Sequence, residues 1–274
     1  MEDLEEWFKR MASSTKEMNE ALPQEMQQHT YAIMYRVEGE HWWFVGRRRI
    51  LESFVQKICQ DLKRDLHTTR PHILDVGCGT GANLEMLSQF GDAEGVDVSQ
   101  DALAFCRERG LNNVNLGAAE KLPYGDESFD LVTALDVVEH LDDDVAGLKE
   151  MRRVLKPQGR ALLFVPAFMF LWGVQDDISH HRRRYRIPQL CEVVKSAGFE
   201  IERTTYANIT FFAPILAGRT VMKVTGLRPA SENNINVSAL NGVFGRVFGA
   251  ESAILRRMNF PFGVSAICVA RRVE

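Results

Sequence analysis

An α/β fold, with a mostly parallel sheet covered by helices on both faces, is predicted by three features of the sequence. Short apolar runs alternate with helical stripes from residue 50 to residue 205. A turn with three glycines follows directly on the first such run, in HILDVGCGTGANLEML at 72–87. The chain has 274 residues, 45% of them apolar, which is enough for one sizeable core.

Taken in order, Ile50, Leu51, Phe54, Val55, Ile58 and Leu62 recur at helical spacing, and Pro71 closes the connection into the buried-strand pattern HILDV. A helix over Ala82 to Phe90 and a strand AEGVDV come next. Ser99 is positioned to cap the following helix and Gly110 to end it. FDLVTAL reads as a strand, and Val145, Leu148, Met151, Val154 and Leu155 mark a helix. KPQG reads as a turn and RALLFVPA as another strand. Leu190, Val193, Val194 and Ala197 form a further stripe ending at Gly198, ahead of the strand-like FEIERTTY. FGVSAICVARRV closes the chain as a strand. Between these two, roughly 207–258 is less regular: ITFFAPILAG, a polar SENNIN loop, and an apolar stripe of Leu240, Val243, Phe244, Val247 and Phe248. It reads as an inserted cap.

Several function classes are disfavoured. A net charge of -4 offers no general attraction for a polyanion, so nucleic acid is not an expected partner. MEDLEEWFKR is acidic where a secretory signal begins basic, and no apolar run has the length of a membrane span, which predicts a cytoplasmic protein. Cys59, Cys78, Cys106, Cys191 and Cys268 are odd in number and widely separated, so buried free thiols are expected, with no metal site.

In an open parallel sheet the ligand crevice lies at the carboxyl ends of the strands. Gly77, Gly79 and Gly81 let the backbone turn tightly and approach a ligand closely. Asp97 ends the second strand, where a carboxylate can accept hydrogen bonds from both hydroxyls of an adenosine ribose. Two ligand classes fit. Gly77, Gly79 and Ala82 satisfy the G-x-G-x-x-[GA] dinucleotide pattern, which would make the chain an NAD-dependent oxidoreductase. The other class is S-adenosylmethionine, whose ammonium group needs an acceptor near the loop, and Asp75 supplies a carboxylate there unless it serves loop N–H groups.

DVGCGTG, VDVS, AAEKLPYGDESFDLVTALDVVEHL and LKEMRRVLKPQGRALLFVPA, in that order, resemble the motif series of class I S-adenosylmethionine-dependent methyltransferases over residues 70 to 205. The resemblance implies a doubly wound, seven-stranded, mostly parallel Rossmann-like sheet whose last strand pair is antiparallel. It implies an N-terminal helical lid over 1–49 and the methyltransferase domain over 50–274. By that likeness Asp75 and Gly77 sit near the methionine end of the cofactor, Gly79 and Gly81 line its sugar, Asp97 binds the ribose and Val98 packs on adenine. Cys78 lies in the same loop with no chemistry assigned. Where the family often has an aspartate this chain has Ala118, followed by Ala119 and Glu120, which leaves a backbone group of Ala119 to meet adenine. Asp136 lies beside the transferred methyl, and Glu139 and His140 form the family's EH pair, with His140 a candidate base.

On the acceptor side, WGVQDDISHHRRRY follows the fifth strand. It offers Trp172, Arg182, Arg183 and Arg184 for an anionic acceptor, and His180, His181 and Tyr185 for proton transfer. The alternative is that the arginines pair with nearby acids. In EGEHWWFVGRRRIL at 38–51, Trp42 and Trp43 cannot both face one core, so one belongs to a cleft or interface. By the family likeness His41, Trp43, Arg47 and Arg48 close the site, the alternative being that Arg47 to Arg49 start a solvated helix. The Leu240–Phe248 stripe, with Arg246, Arg256 and Arg257 nearby, packs on its own domain, lies on a membrane or forms a homodimer contact.

The expected activity is methyl transfer from S-adenosylmethionine, yielding S-adenosylhomocysteine. The expected acceptor is an oxygen, hydroxyl or carboxylate, of an anionic small molecule, glycan or lipid intermediate, or peptide natural product. A non-catalytic cofactor-binding module is the remaining alternative.

Overall fold

The computed structural model describes residues 28–226 and 238–273. MEDLEEWFKR and SENNIN lie outside the described residues. Helices α1 (Gln28–Val37) and α2 (Trp42–Asp65) precede β1 (His72–Val76), α3 (Ala82–Leu87), β2 (Asp92–Asp97), α4 (Gln100–Glu108), β3 (Val114–Leu116) and β4 (Phe129–Leu135). Then follow α5 (Asp144–Val154), β5 (Leu155–Pro166), α6 (Val174–Ile178), α7 (Ile187–Ser196), β6 (Phe199–Ala207), α8 (Phe212–Thr225), α9 (Ser238–Leu255) and β7 (Ser265–Arg272). The seven-stranded sheet has the order β3-β2-β1-β4-β5-β7-β6, with β7 antiparallel to both neighbours and the other pairings parallel.

Strand alternation divides the core into two layers. Leu74, Val76, Val132, Ala134, Leu163 and Val165 face α5 and α7, where Leu148, Met151, Leu190 and Val194 are fully buried. Ile73, Leu131, Leu135, Leu162 and Phe164 face α2, whose Ile50, Leu51, Phe54, Val55, Ile58 and Leu62 form the opposing stripe. Caps fall where the side chains predict them. Ser99 Oγ accepts from Ala102 N at 3.3 Å, and Gly110 and Gly198 take left-handed φ of 82° and 88° just past the ends of α4 and α7.

Four local expectations change. The helix after the glycine turn stops at Leu87, before Phe90. KPQG is a bulge inside β5: Phe129 pairs with Leu155 and Leu131 with Arg160, and the intervening residues loop out around Gln158 at φ 65°. α2 begins at Trp42 rather than Ile50, because His41 caps it by accepting from Trp43 N at 3.3 Å. Trp42 is half-buried against Phe211 (ring centroids 4.6 Å apart) and Phe248 (6.1 Å). The stripe predicted in α9 splits: Phe244 and Phe248 turn inward, while Leu240, Val243 and Val247 stay exposed. Cys59, Cys78, Cys106 and Cys268 are buried free thiols, and Cys191 is half-buried.

Candidate active site

The strand order reverses between β1 and β4, so the crevice belongs at their carboxyl ends. There Gly77, Gly79 and Gly81 all take left-handed φ, of 67°, 54° and 92°. A Cβ on Gly77 would sit 2.5 Å from Val137, and one on Gly81 would sit 2.9 Å from Leu111, so both glycines are required by packing. A Cβ on Gly79 would meet nothing within 4 Å, so this glycine faces open space of the kind a ligand fills. Gly79 N donates to Asp97 Oδ2 at 2.8 Å and Ser99 N to Oδ1 at 2.9 Å. Asp97 is thus locked against the turn.

Asp75 is 1% exposed; Oδ1 accepts from Thr133 Oγ1 at 2.6 Å, while Oδ2 is buried with no hydrogen-bond partner. Burial pushes its carboxyl up to about 7. Its bond runs to Thr133 and not to loop N–H groups, which leaves Oδ2 suited to a cationic donor. Val98 is half-buried at the end of β2, Ala119 is buried, and Glu120 Oε2 is buried without a partner. Cys78 lies beneath the turn: a Cβ on Gly95 would meet its Sγ at 2.7 Å. A hydrogen bond with Cys106, reinforced by burial, holds its thiol well above the ordinary range. The Cys78 side chain is therefore packed beneath the turn.

Asp136, at φ 62° just beyond β4, pairs with Arg47 across 2.8 Å. Burial raises its carboxyl. Arg47 is 4% exposed, with its guanidinium 4.8 Å from the Phe164 ring and 5.4 Å from that of Trp43, which is half-buried. Nη1 reaches Asn83 Oδ1 at 3.3 Å, and Nε has no partner. The start of α2 is thereby anchored at the crevice. Arg48 is turned elsewhere, donating to Glu38 O at 2.6 Å, and so braces the α1–α2 turn. Glu38 itself accepts from Thr80 Oγ1 at 2.5 Å and from Arg109, tying that turn to the glycine loop. No periodicity marks Glu38, Thr80 or Arg109 in the sequence.

A second cluster follows Asp136. Glu139 is fully buried and neither carboxylate oxygen has a hydrogen-bond partner; burial, then the charge on Asp136, holds its carboxyl well above the usual range. His181 places Nδ1 2.7 Å from Asp176 Oδ1 and Nε2 3.9 Å from Glu139 Oε1. Asp176 also accepts from Arg184 at 2.8 and 2.9 Å and from Gly173 N at 2.7 Å. Burial pushes its carboxyl upward, and the hydrogen bonds from His181 and Arg184 outweigh this and hold it far down. His140 packs edge-on against His181 at 4.7 Å, and burial drives its imidazole down to about 3. Among the described residues, Glu139, His140 and His181 bring ligating atoms within 4.8 Å of one another, close enough to share a metal ion.

Other residues of the HHRRRY segment have different work. Arg182 pairs with Asp142 (3.0 Å), and Arg183 with Asp144 (2.9 Å) and the carbonyls of Leu141 and Asp142. Arg184 clamps Asp176 and the carbonyl of Ala167. These arginines hold the loop together, which corrects their expected role as an anion site. Tyr185 is 3% exposed, with its hydroxyl 2.7 Å from Asp144 Oδ2; burial and that carboxylate raise its pKa beyond use as a proton acceptor. His180 is exposed, in a left-handed turn at φ 54° that carries His181 onto Asp176. Trp172 is half-buried and donates Nε1–H to Asp177 at 2.9 Å. His41 is consumed as the cap of α2, and burial lowers its pKa.

Residues 74–163 match the family model described as a methyltransferase domain. The chain is 35% identical over 123 residues to the uncharacterized methyltransferase YcgJ of Bacillus subtilis, covering 42% of this chain and 48% of that one. It is 31% identical over 155 residues to a ubiquinone biosynthesis O-methyltransferase of Bartonella tribocorum, covering 50% and 62%. The chain spans about half the length of the curated relatives it matches. A solved methyltransferase of Thermotoga maritima, described as a possible histamine N-methyltransferase, superposes with a TM-score of 0.54 at 20% identity, over 88% of this chain and 99% of that one. At that identity the likeness concerns the fold. Among the described residues no helix is long and apolar enough to cross a membrane.

Proposed function

Residues 74–163 form a methyltransferase domain of the class I S-adenosylmethionine-dependent family, and from that premise we propose that the whole chain methylates a hydroxyl oxygen of a small-molecule acceptor, with His181 as proton acceptor. The carrying observation is the 2.7 Å contact from His181 Nδ1 to Asp176. A carboxylate there fixes Nδ1 as the protonated nitrogen and leaves the Nε2 lone pair for a hydroxyl proton. The methyl donor supplies an already activated electrophile, a methyl on a positively charged sulfur. With that donor bound, transfer of the methyl to the acceptor oxygen would leave the carbon–sulfur electron pair on sulfur, and His181 Nε2 would take the hydroxyl proton.

The cofactor reading fits the residues of the crevice. Asp97, held by Gly79 N and Ser99 N at the end of β2, stands beside the glycine turn where a carboxylate accepts from ribose hydroxyls. Asp75 Oδ2, buried and unpartnered, accepts from an ammonium group. The same atom argues against NAD, because an unpaired carboxylate beside the glycine turn repels a pyrophosphate. Arg47, with a partnerless Nε and its charge felt at both Asp75 and Asp136, receives a carboxylate of the cofactor or of an anionic acceptor.

The test is calorimetric titration with S-adenosylhomocysteine and, in parallel, NAD. Micromolar binding of the former is expected, weakened about tenfold or more in Asp97→Ala by loss of charge-assisted hydrogen bonds. Binding of NAD alone, or of neither ligand, would overturn the cofactor reading. Labelled methyl donor with hydroxyl, amine and carboxylate acceptors then tests the choice of oxygen.

A further inference from the structure

We propose that α9 rests on the surface of an anionic membrane. The argument is independent of the methyl-transfer reading and begins with the two faces of α9. Phe248 and Leu255 are fully buried, Phe248 sits against Trp42, and Gly46 of α2 leaves room for its ring. The adjoining flank carries Leu240, Val243, Val247 and Ile254, at spacings of three, four and seven, and these are 40%, 52%, 43% and 50% exposed. They form one stripe along about 21 Å of helix. A helix that is apolar all round has both faces covered, in a core or in lipid. Among the described residues the fold covers only one.

Charge decides between the candidates for the uncovered face. Arg246, exposed on α9, lies beside the stripe, and Arg256 and Arg257, also exposed, follow directly on the end of the helix. Among the described residues of 208–263 the sole acid is Glu251, which is buried and accepts from Asn208 N and from both the N–H and hydroxyl of Thr210. A chain of net charge -4 therefore presents an apolar stripe bordered by arginines. That is the composition of a helix lying at an anionic bilayer interface. A two-fold dimer through the same stripe would set the patch against itself, where Glu40 is the exposed acid beside Arg246 and Arg49 and leaves the arginines in excess.

The test is co-sedimentation of the full chain, without cofactor, with phosphatidylcholine vesicles either pure or containing phosphatidylglycerol. Retention on the anionic vesicles, reversed by salt, is expected. The exposed-site variants V243E/V247E and R246E/R257E, checked for an unchanged thermal transition, should each lower retention about fivefold or more. Absence of retention on anionic vesicles, or variants that bind like the parent chain, would overturn the proposal. So would a concentration-dependent dimer that V247E disperses in ultracentrifugation. Because no methyl donor enters the assay, its failure is separable from failure of the cofactor reading.

Discussion

His181 Nδ1 lies 2.7 Å from Asp176 Oδ1, and the same carboxylate is clamped by the guanidinium of Arg184. The contact turns one histidine of a charged, polar loop into an imidazole of defined orientation and tautomer, backed by a buried ion pair.

The first expected consequence concerns turnover. His181→Asn should lower kcat by about a hundredfold or more, the usual scale for removing a general base, while S-adenosylhomocysteine affinity stays within about twofold. His180→Asn, at the exposed neighbour, should leave kcat nearly unchanged. Equal losses in the two variants, measured by steady-state kinetics on a hydroxyl acceptor, would remove His181 from the chemistry.

A pH dependence follows from Asp75, which burial raises to about 7 in the folded chain against about 3.9 for an unperturbed aspartate. Between those values the folded protein holds a proton that the unfolded chain has released, so this group's effect is to lower stability as pH rises from about 4 to about 7. Ligand binding runs the other way. An ammonium donor favours the charged carboxylate, so affinity for S-adenosylhomocysteine should increase up to about tenfold per unit as pH rises towards 7 and then level off. In Asp75→Asn, calorimetry at pH 6 and pH 8 should give the same weakened affinity. A slope retained in that variant would assign the pH dependence to another group.

Packing between α2 and α9 makes a third expectation. A Cβ on Gly46 would fall 2.5 Å from Phe248 Cδ1, in a contact closed on the other side by Trp42. Gly46→Ala should destabilise the fold by about 1–3 kcal/mol in denaturant titration, the usual range for overpacking. Adding Phe248→Leu should recover part of the loss. An unchanged midpoint for Gly46→Ala would mean that α9 shifts freely on α2.

Much of the cofactor end is legible in the sequence because its residues are neighbours. Gly77, Gly79, Gly81 and Asp75 belong to one strand and turn, and Asp97 ends the adjacent parallel strand, so local pattern and strand order suffice to bring them together. The HHRRRY segment is different. Arg182, Arg183 and Arg184 look alike as a run, yet each points to its own carboxylate, Asp142, Asp144 or Asp176, two of them on another segment. Glu38 and Arg109 are 71 residues apart and carry no shared pattern. KPQG misleads because a turn composition serves equally for a bulge within a strand.

Periodicity, caps and the glycine turn act over a few residues, and through them the chain itself specifies an alternating α/β sheet, its crevice and the carboxylates that border it. Folding decides which charge meets which. It pairs Arg47 with Asp136, buries Glu139 unpartnered, sets His181 on Asp176 and leaves one apolar face of α9 uncovered. These outcomes rest on desolvation and on contacts between segments far apart in the chain, and neither is encoded in a residue's immediate neighbours.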